Sequence, residues 1–375
     1  MSVYSIILCG GVGSRLWPES TIDNPKPFID LIGDRSLFQR TVSRMTAVSA
    51  GRPPVIVTGL AYVGHVRRQL EALGSDGFII AEPEGRDSGP ALLAAAAWIA
   101  RKDPGAVAVA VASDHHIPDD LAFAEAVRAA FDAANDGEIV TFGVKPGFPS
   151  TSYGYIRPGA VLRDRPGVLR VGQFVEKPNQ MRAEALVEEG CLWNTGNFMF
   201  RAGSLIAQAA IHAPDMLKAV EASVALSAEH GNVCELGVRF TEAPRVSFDI
   251  AIMEKTNRAA VIPIDYAWSD LGSWDSVLAF SELDGAGNSV VGTAVLSDSE
   301  GCLVRAGTGI KIVAIGLRNL AVVVSGGNIL ISDLARVSAL KPALEALESL
   351  GDATDGDASV SFADGASPGS GGPKT

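Results

Sequence analysis

Three glycines, an arginine and a lysine stand close together near the start of the chain, in "LCGGVGSRLWPES" (8–20) and "NPKPF" (24–28). Gly10, Gly11 and Gly13 let the backbone come close to a phosphate and present N–H groups to it. Arg15 adds a planar fork of donors matched to phosphate oxygens, and Lys26, eleven residues on, adds a point charge on a flexible stem. This is not a Walker A loop, since no GxxxxGK[ST] occurs in the chain. It is not a dinucleotide fingerprint either. Leu16 stands where the third glycine should be, and no clear acidic ribose-binding residue follows at about 20 positions. Glycines also serve the geometry of a strand–turn–helix junction, so the added arginine and lysine are what point to phosphate.

Other chemistries find little support. Cys9, Cys191, Cys234 and Cys302 are far apart, which excludes CxxC metal or redox spacing and fits reduced thiols in a cytoplasmic protein. His115 and His116 are adjacent, but no HExxH zinc pattern exists. The net charge of −12 argues against a general nucleic-acid binder and gives no support for binding anionic membranes. A local Arg/Lys cluster for a small phosphate ligand remains compatible with that charge. The apolar run at residues 3–9 has no preceding basic region and is too short for a signal-peptide core. The Ala-rich 91–100 stretch reads as a buried helix rather than a membrane span.

These residues must be held by an α/β framework. Continuous apolar strands at 3–9, 53–59, 77–83, 106–113 and 138–144 alternate with helical patterns at 36–45, 62–74, 89–104 and from Asp120 to Asp136. Such alternation predicts a Rossmann-like, mainly parallel (mixed) sheet flanked by helices, with ligands beyond the carboxyl ends of its strands. From about Gly147 to Trp274 short strands mix with Gly/Pro/Asn turns, which predicts an inserted sheet forming one wall of a cleft. After Asn288 short strands of about five residues predict a small C-terminal β-domain or a β-helix of few turns, whose edge could pair two chains into a dimer. A helix at 334–350 follows, and 351–375 reads as a disordered, low-complexity tail. The expected organisation is a catalytic domain at 1–284, a β-domain with its helix at 285–350, and the tail.

The opening loop resembles the signature of the sugar-1-phosphate nucleotidylyltransferases. Seven further blocks agree in order, through about three quarters of the chain: "EPEGRDSGPAL" (82–92), "ASDHHIPD" (112–119), "TFGVKPGFPSTSYGYI" (141–156), "FVEKPN" (174–179), "LWNTGNFMF" (192–200), "SFDIAIMEKT" (247–256) and "WSDLGSWDSV" (268–277). The wording "LCGG.G.RLWP" is similar to the branch that joins GTP to mannose 1-phosphate. Lys26-Pro27, Arg86-Asp87-Ser88-Gly89-Pro90 and "WNTGN" depart from the usual Lys-Gln, Arg-Asn-Thr-Ala-Pro and Trp-Asn-Ser-Gly of the family. The chain is too short for the isomerase cupin fused to longer bacterial members, so no isomerase activity is expected.

The resemblance implies that mannose 1-phosphate attacks the α-phosphorus of GTP in line, giving GDP-mannose and diphosphate without an enzyme nucleophile. Gly10, Gly11, Gly13, Arg15 and Lys26 would hold the triphosphate, with Gly89 as a further nucleotide contact. Asp114 and Asp270 would hold Mg²⁺ between them, against the plainer readings of a helix N-cap and a turn aspartate. Lys177 would bind the sugar phosphate, Glu176 and Asn194 its hydroxyls, and Gly154 would let backbone approach. The attacking phosphate is already ionised, so His115 and His116 are read as structural or pocket-lining. Asp249 and Lys255 fall in a family block with no clear role. Guanine presents two adjacent donors, N1–H and N2–H₂, and Glu82 is the carboxylate placed to accept both.

Two other readings compete. One is a glucose-1-phosphate enzyme using UTP or dTTP. The other is a catalytically silent regulatory subunit, which loss of Arg15, Lys26, Asp114 or Lys177 would mark; all four are present.

Overall fold

The computed structural model describes residues 3–350; the expected tail at 351–375 lies outside the described residues. Contacts group the chain into two compact units, Met1–Gly10 with Arg35–Asp270, and Gly11–Asp34 with the chain from Leu271 on. This grouping differs from a division at 284/285 in that Gly11–Asp34 and the stretch 271–284 join the C-terminal strands.

The larger unit opens with the expected alternation: β1 (Val3–Cys9), α1 (Leu37–Val48), β2 (Val55–Gly59), α2 (Val63–Leu73), β3 (Phe78–Glu82), α3 (Ser88–Lys102), β4 (Val107–Ala112), α4 (Asp120–Asn135) and β5 (Ile139–Val144). Local chemistry sets the helix ends. Ser36 and Gln39 form a reciprocal capping box on α1, Gly74 (φ 60) terminates α2, and Asp119 caps α4. Helix α3 is buried nearly all round, and its run of alanines lets it lie close against the sheet. The unit continues with β6 (Tyr155–Val161), β7 (Leu169–Val175), α5 (Gln180–Glu188), β8 (Leu192–Arg201), α6 (Ala202–His212), α7 (Pro214–Ala225), β9 (Ala228–His230), β10 (Val233–Glu235) and β11 (Ala259–Ile264).

All eleven strands form one mixed sheet, in the order β5-β11-β7-β6-β8-β4-β1-β2-β3-β10-β9, with β5 also paired to β8. Strands β4, β1, β2, β3 and β10 run parallel, and β8 lies antiparallel to β4 and β5. The expected inserted sheet is thus not a sheet of its own but part of the main one. Strand β8 carries buried Phe198, Met199 and Phe200, so it needs cover on both faces; it enters the main sheet and brings β6 and β7 with it.

The smaller unit contains α8 (Trp274–Ala279), β12 (Ser289–Val291), β13 (Thr293–Ser297), β14 (Leu303–Ala306), β15 (Lys311–Ile315), β16 (Leu320–Ser325), β17 (Asn328–Asp333) and α9 (Leu340–Leu350). Strands β12, β14 and β16 are parallel neighbours, as are β13 and β15, while β17 closes one edge antiparallel. Register partners Leu303↔Ala321 and Thr293↔Lys311 show the chain returning to the same face one layer on, as in a short β-helix. The expected helix at 334–350 begins as a 3₁₀ stretch, Leu334–Ala339, and becomes α-helical only at Leu340.

Candidate active site

The glycine-rich loop belongs to the smaller unit from Gly11 on. Gly11 (φ 87) and Gly13 (φ 77) adopt left-handed backbone that side chains resist. A Cβ on Gly13 would lie 2.5 Å from the Lys26 Cβ, so the lysine stem packs directly on this glycine. The Lys26 N–H donates to the Val12 carbonyl at 2.9 Å, and the Ser20 hydroxyl donates to the same carbonyl. The structure thereby brings Lys26 onto the glycine turn, with Lys26 buried and Arg15 exposed. A Cβ on Gly10 or Gly11 would meet nothing within 4 Å, leaving the backbone open to a close-lying group.

In the larger unit Asp114 lies two residues past β4, beside the sheet's carboxyl edge. It is not the cap of α4: Asp119 accepts from the Leu121 and Ala122 N–H groups at 3.1 and 2.9 Å. His116 and Ser269 exchange backbone hydrogen bonds of 2.8 and 3.1 Å in an antiparallel bridge. That bridge brings the segment of Ser269 and Asp270 alongside the segment of His115 and His116, which follows Asp114. Tyr153 Oη donates to Asp270 Oδ1 at 2.8 Å. Among the described residues no group of three or more His, Cys, Asp or Glu is arranged to hold a metal. Two carboxylates suit a hard cation that takes its remaining oxygens from substrate phosphate and water.

The histidines line this region. Trp268 Nε1 donates to His115 Nδ1 at 3.3 Å, and the two rings meet edge-on. Burial, with help from the charges of Arg40 and Arg44, pulls His116 down to about 4, which leaves it neutral and without acid–base work near pH 7.

A second cluster gathers around Lys177, just past β7. Lys177 holds φ 43, a left-handed backbone uncommon for a side-chain-bearing residue and often found at functional sites. Its Nζ donates to Glu176 Oε1 at 2.6 Å. Burial lowers its pKa, but the bond to Glu176 and the charges of Glu176, Asp249 and Asp87 outweigh this and hold it above the usual lysine value. A Cβ on Gly154 would lie 2.6 Å from Glu176 Oε2, so only glycine permits this approach. The Gly154 carbonyl in turn accepts from the Asn194 N–H at 2.8 Å. The Asn194 side chain is fixed at both ends: Nδ2 donates to Asp249 Oδ1 at 2.8 Å, and Oδ1 accepts from the Thr141 hydroxyl at 2.7 Å. Asp249 opens a single π-turn, Asp249–Met253, and burial with the nearby Glu176 charge pushes its carboxyl up to about 7. Gly154, Glu176, Lys177 and Asn194 are therefore one constellation.

Glu82 is the last residue of β3. It is 6% exposed, and burial pushes its carboxyl up to about 7. Its Oε1 is buried without a hydrogen-bond partner. Such an oxygen is costly unless a ligand donor meets it. Gly89 has a packing reason instead: a Cβ there would lie 2.5 Å from the Val246 carbonyl oxygen and 3.1 Å from Met216 Cε. The N-terminus of α3 is tied to the "SFD" block, since Ser88 Oγ accepts from the Phe248 N–H at 3.0 Å.

Tyr153, Thr141 and Asp249 bond to predicted site residues, yet sequence reasoning gave none of them a role. Tyr153 abuts Gly154, and Asp249 lies in a motif block, but their partners are more than 50 positions away, at separations of 117 and 55 residues.

The nucleotidyl transferase family model matches residues 4–286. A mannose-1-phosphate guanylyltransferase of Escherichia coli is 37% identical over 92% of this chain and 73% of its own length. An alginate biosynthesis protein of Pseudomonas aeruginosa is 37% identical over 92% of this chain and 72% of its own. A Thermus thermophilus structure described as a mannose-1-phosphate geranyltransferase superposes with a TM-score of 0.82 at 29% identity, covering 93% of this chain and all of that one. With a family model spanning most of its length and relatives this similar, the chain belongs to the nucleotidyl transferase family and is a nucleotidyltransferase.

Proposed function

We propose that the chain is a GTP-dependent mannose-1-phosphate guanylyltransferase, which converts GTP and α-D-mannose 1-phosphate into GDP-mannose and diphosphate. The observation that carries this reading is the constellation of Glu176, Lys177, Asn194 and Gly154, a cation beside two hydrogen-bonding side chains packed closely on a glycine, as a sugar phosphate requires. The activity named for the relatives supports it.

An oxygen of the sugar phosphate attacks the α-phosphorus of GTP. The new P–O bond forms as the bond from the α-phosphorus to the bridging oxygen breaks, and diphosphate leaves. No proton transfer is needed, so the protein contributes position and charge. Lys177, whose pKa is raised, remains cationic at neutral pH and neutralises the approaching phosphate. Glu176 and the Asn194 amide accept from and donate to sugar hydroxyls. The glycine loop, Arg15 and Lys26 hold the triphosphate and the departing diphosphate. Glu82 Oε1 accepts from guanine, which supports GTP over UTP or dTTP. Asp114 and Asp270 would hold Mg²⁺, which when bound supplies positive charge against the phosphate oxygens.

A cytoplasmic placement is part of the proposal, and its support is that all four cysteines are free thiols. No described helix is long and apolar enough to cross a membrane. A homodimer is also part of the proposal. Its support is the exposed pair Val295 and Val313, in register across β13 and β15, with Ile315 beside them; sedimentation at several concentrations tests it.

The deciding experiment is diphosphate release from purified protein with Mg²⁺, mannose 1-phosphate and each nucleoside triphosphate in turn. Release with GTP alone is expected. Release only with UTP or dTTP, or a preference for glucose 1-phosphate, would overturn the substrates. Silence with retained GDP-mannose binding would favour a regulatory subunit.

A further inference from the structure

We infer that Arg305, on β14 of the C-terminal β region, is a positioning residue for the phosphate-binding loop, so that the β region is part of the nucleotide site's support rather than an appended module. The proposal rests on the loop's reading as the triphosphate cradle.

Arg305 is 5% exposed and spends its guanidinium on the segment that carries that loop. Its Nε donates to Glu19 Oε1 at 2.6 Å, one terminal nitrogen donates to the Leu31 carbonyl at 3.2 Å, and the other to the Asp30 carbonyl at 3.3 Å. The fork thus spans the loop segment, gripping it a few residues after Arg15 and again a few residues after Lys26. The indole of Trp274 lies under the guanidinium at 5.9 Å and donates its N–H to the Trp17 carbonyl at 3.1 Å, a second tie to the same segment. Helix α9 packs against the Ser14–Leu16 turn that carries Arg15.

The ties from Lys26 and Ser20 to the Val12 carbonyl fold the loop on itself, and the Arg305 fork anchors it to the β region. A planar fork holding one carboxylate and two carbonyls sets the orientation of the segment, which a lysine's single ammonium cannot do. The Glu19 carboxylate is nearly enclosed, its Oε2 buried without a partner, so the pair is built into the interior of this unit rather than formed on its surface. These observations together account for the grouping of Gly11–Asp34 with the C-terminal strands.

The test compares wild type with Arg305→Met, Arg305→Lys and Glu19→Gln. Two readouts are taken: steady-state constants for each substrate, and binding of inorganic tripolyphosphate followed by tryptophan fluorescence. A positioning role predicts a KM for GTP raised about tenfold or more in Arg305→Met, a KM for mannose 1-phosphate within about twofold of wild type, and only partial rescue by lysine. Tripolyphosphate binding weakens in parallel. Glu19→Gln, which keeps the shape of the pair, shifts the same constants in the same direction by about threefold, and it carries the test should Arg305→Met not fold. Lowered thermal stability with unchanged KM for GTP and unchanged tripolyphosphate affinity would overturn the inference. A wild type that binds tripolyphosphate through this loop but uses another base or sugar would overturn the substrate assignment and leave the brace standing.

Discussion

Replacing Glu82 by glutamine tests the nucleobase assignment through stability and selectivity at once. Burial raises this carboxyl from its ordinary 4.5 to about 7. Between those two pH values the folded protein keeps a proton that the unfolded chain has released. The contribution of Glu82 to stability is therefore fully present below pH 4.5 and is lost as pH rises through about 7. At about 1.36 kcal/mol per pKa unit the loss is about 3 kcal/mol, which applies because the side chain is almost fully buried. Glutamine does not titrate. Urea unfolding of both proteins at about pH 4.5 and about pH 8 should show the wild type losing about 3 kcal/mol relative to Glu82→Gln across that interval. The amide also turns a donor toward guanine N1–H. The ratio of kcat/KM for GTP to that for UTP should fall about a hundredfold, while the protein remains folded. The ratio is the proper readout because the triphosphates' own titration cancels in it. ITP, which lacks the exocyclic amine, should already be a poorer substrate of the wild type. Identical pH dependence of stability in the two proteins, together with an unchanged GTP to UTP ratio, would refute both the burial argument and the guanine contact.

The other expectations concern the two clusters of the larger unit. Asp114→Asn and Asp270→Asn should each lower kcat about a hundredfold or more and raise the Mg²⁺ concentration needed for half-maximal diphosphate release; unchanged Mg²⁺ dependence would remove them as metal ligands. Lys177→Met should cut kcat/KM for mannose 1-phosphate about a hundredfold with little change in the KM for GTP, as substrate-varied kinetics would reveal. Gly154→Ala places a methyl group 2.6 Å from Glu176 Oε2, the movable end of a flexible side chain. It also lies 3.3 Å from two ring atoms of the buried Phe174, so unfolding free energy should fall by about 1–2 kcal/mol, while the KM for mannose 1-phosphate rises about tenfold; wild-type kinetics would show that Glu176 does not touch the sugar. Asp249 loses its proton as pH rises through about 7, adding a second negative charge beside Glu176. Asp249→Asn should flatten the alkaline side of the kcat/KM profile for the sugar phosphate, and a profile that still falls there would assign the fall to another group.

Much of the framework could be read from residue order because its causes are local. Strand β1 spans Val3–Cys9, the expected limits, since a strand buried on both faces is a continuous apolar run. Helix α2 stops at Gly74, and α3 at Lys102 before the Asp103-Pro104 pair, for reasons that lie within a few residues. Gly13 announced a turn, and it takes the left-handed backbone that a turn glycine permits, whereas the packing of the Lys26 stem on it was not legible. Long-range pairing was not legible. Nothing local states that β6, β7 and β8 join the main sheet, or that His116 and Ser269 pair their backbones. Nor does composition reveal that Asn194 is clamped between Thr141 and Asp249 at separations of 53 and 55 residues. The Arg305–Glu19 pair spans 286 residues. Periodicity reports which face of an element is buried, and motif residues report which chemistry is available. Which distant segments meet, and what their burial does to Glu82 and Asp249, depends on how the elements pack, because desolvation and pairing arise only once the chain has closed around them.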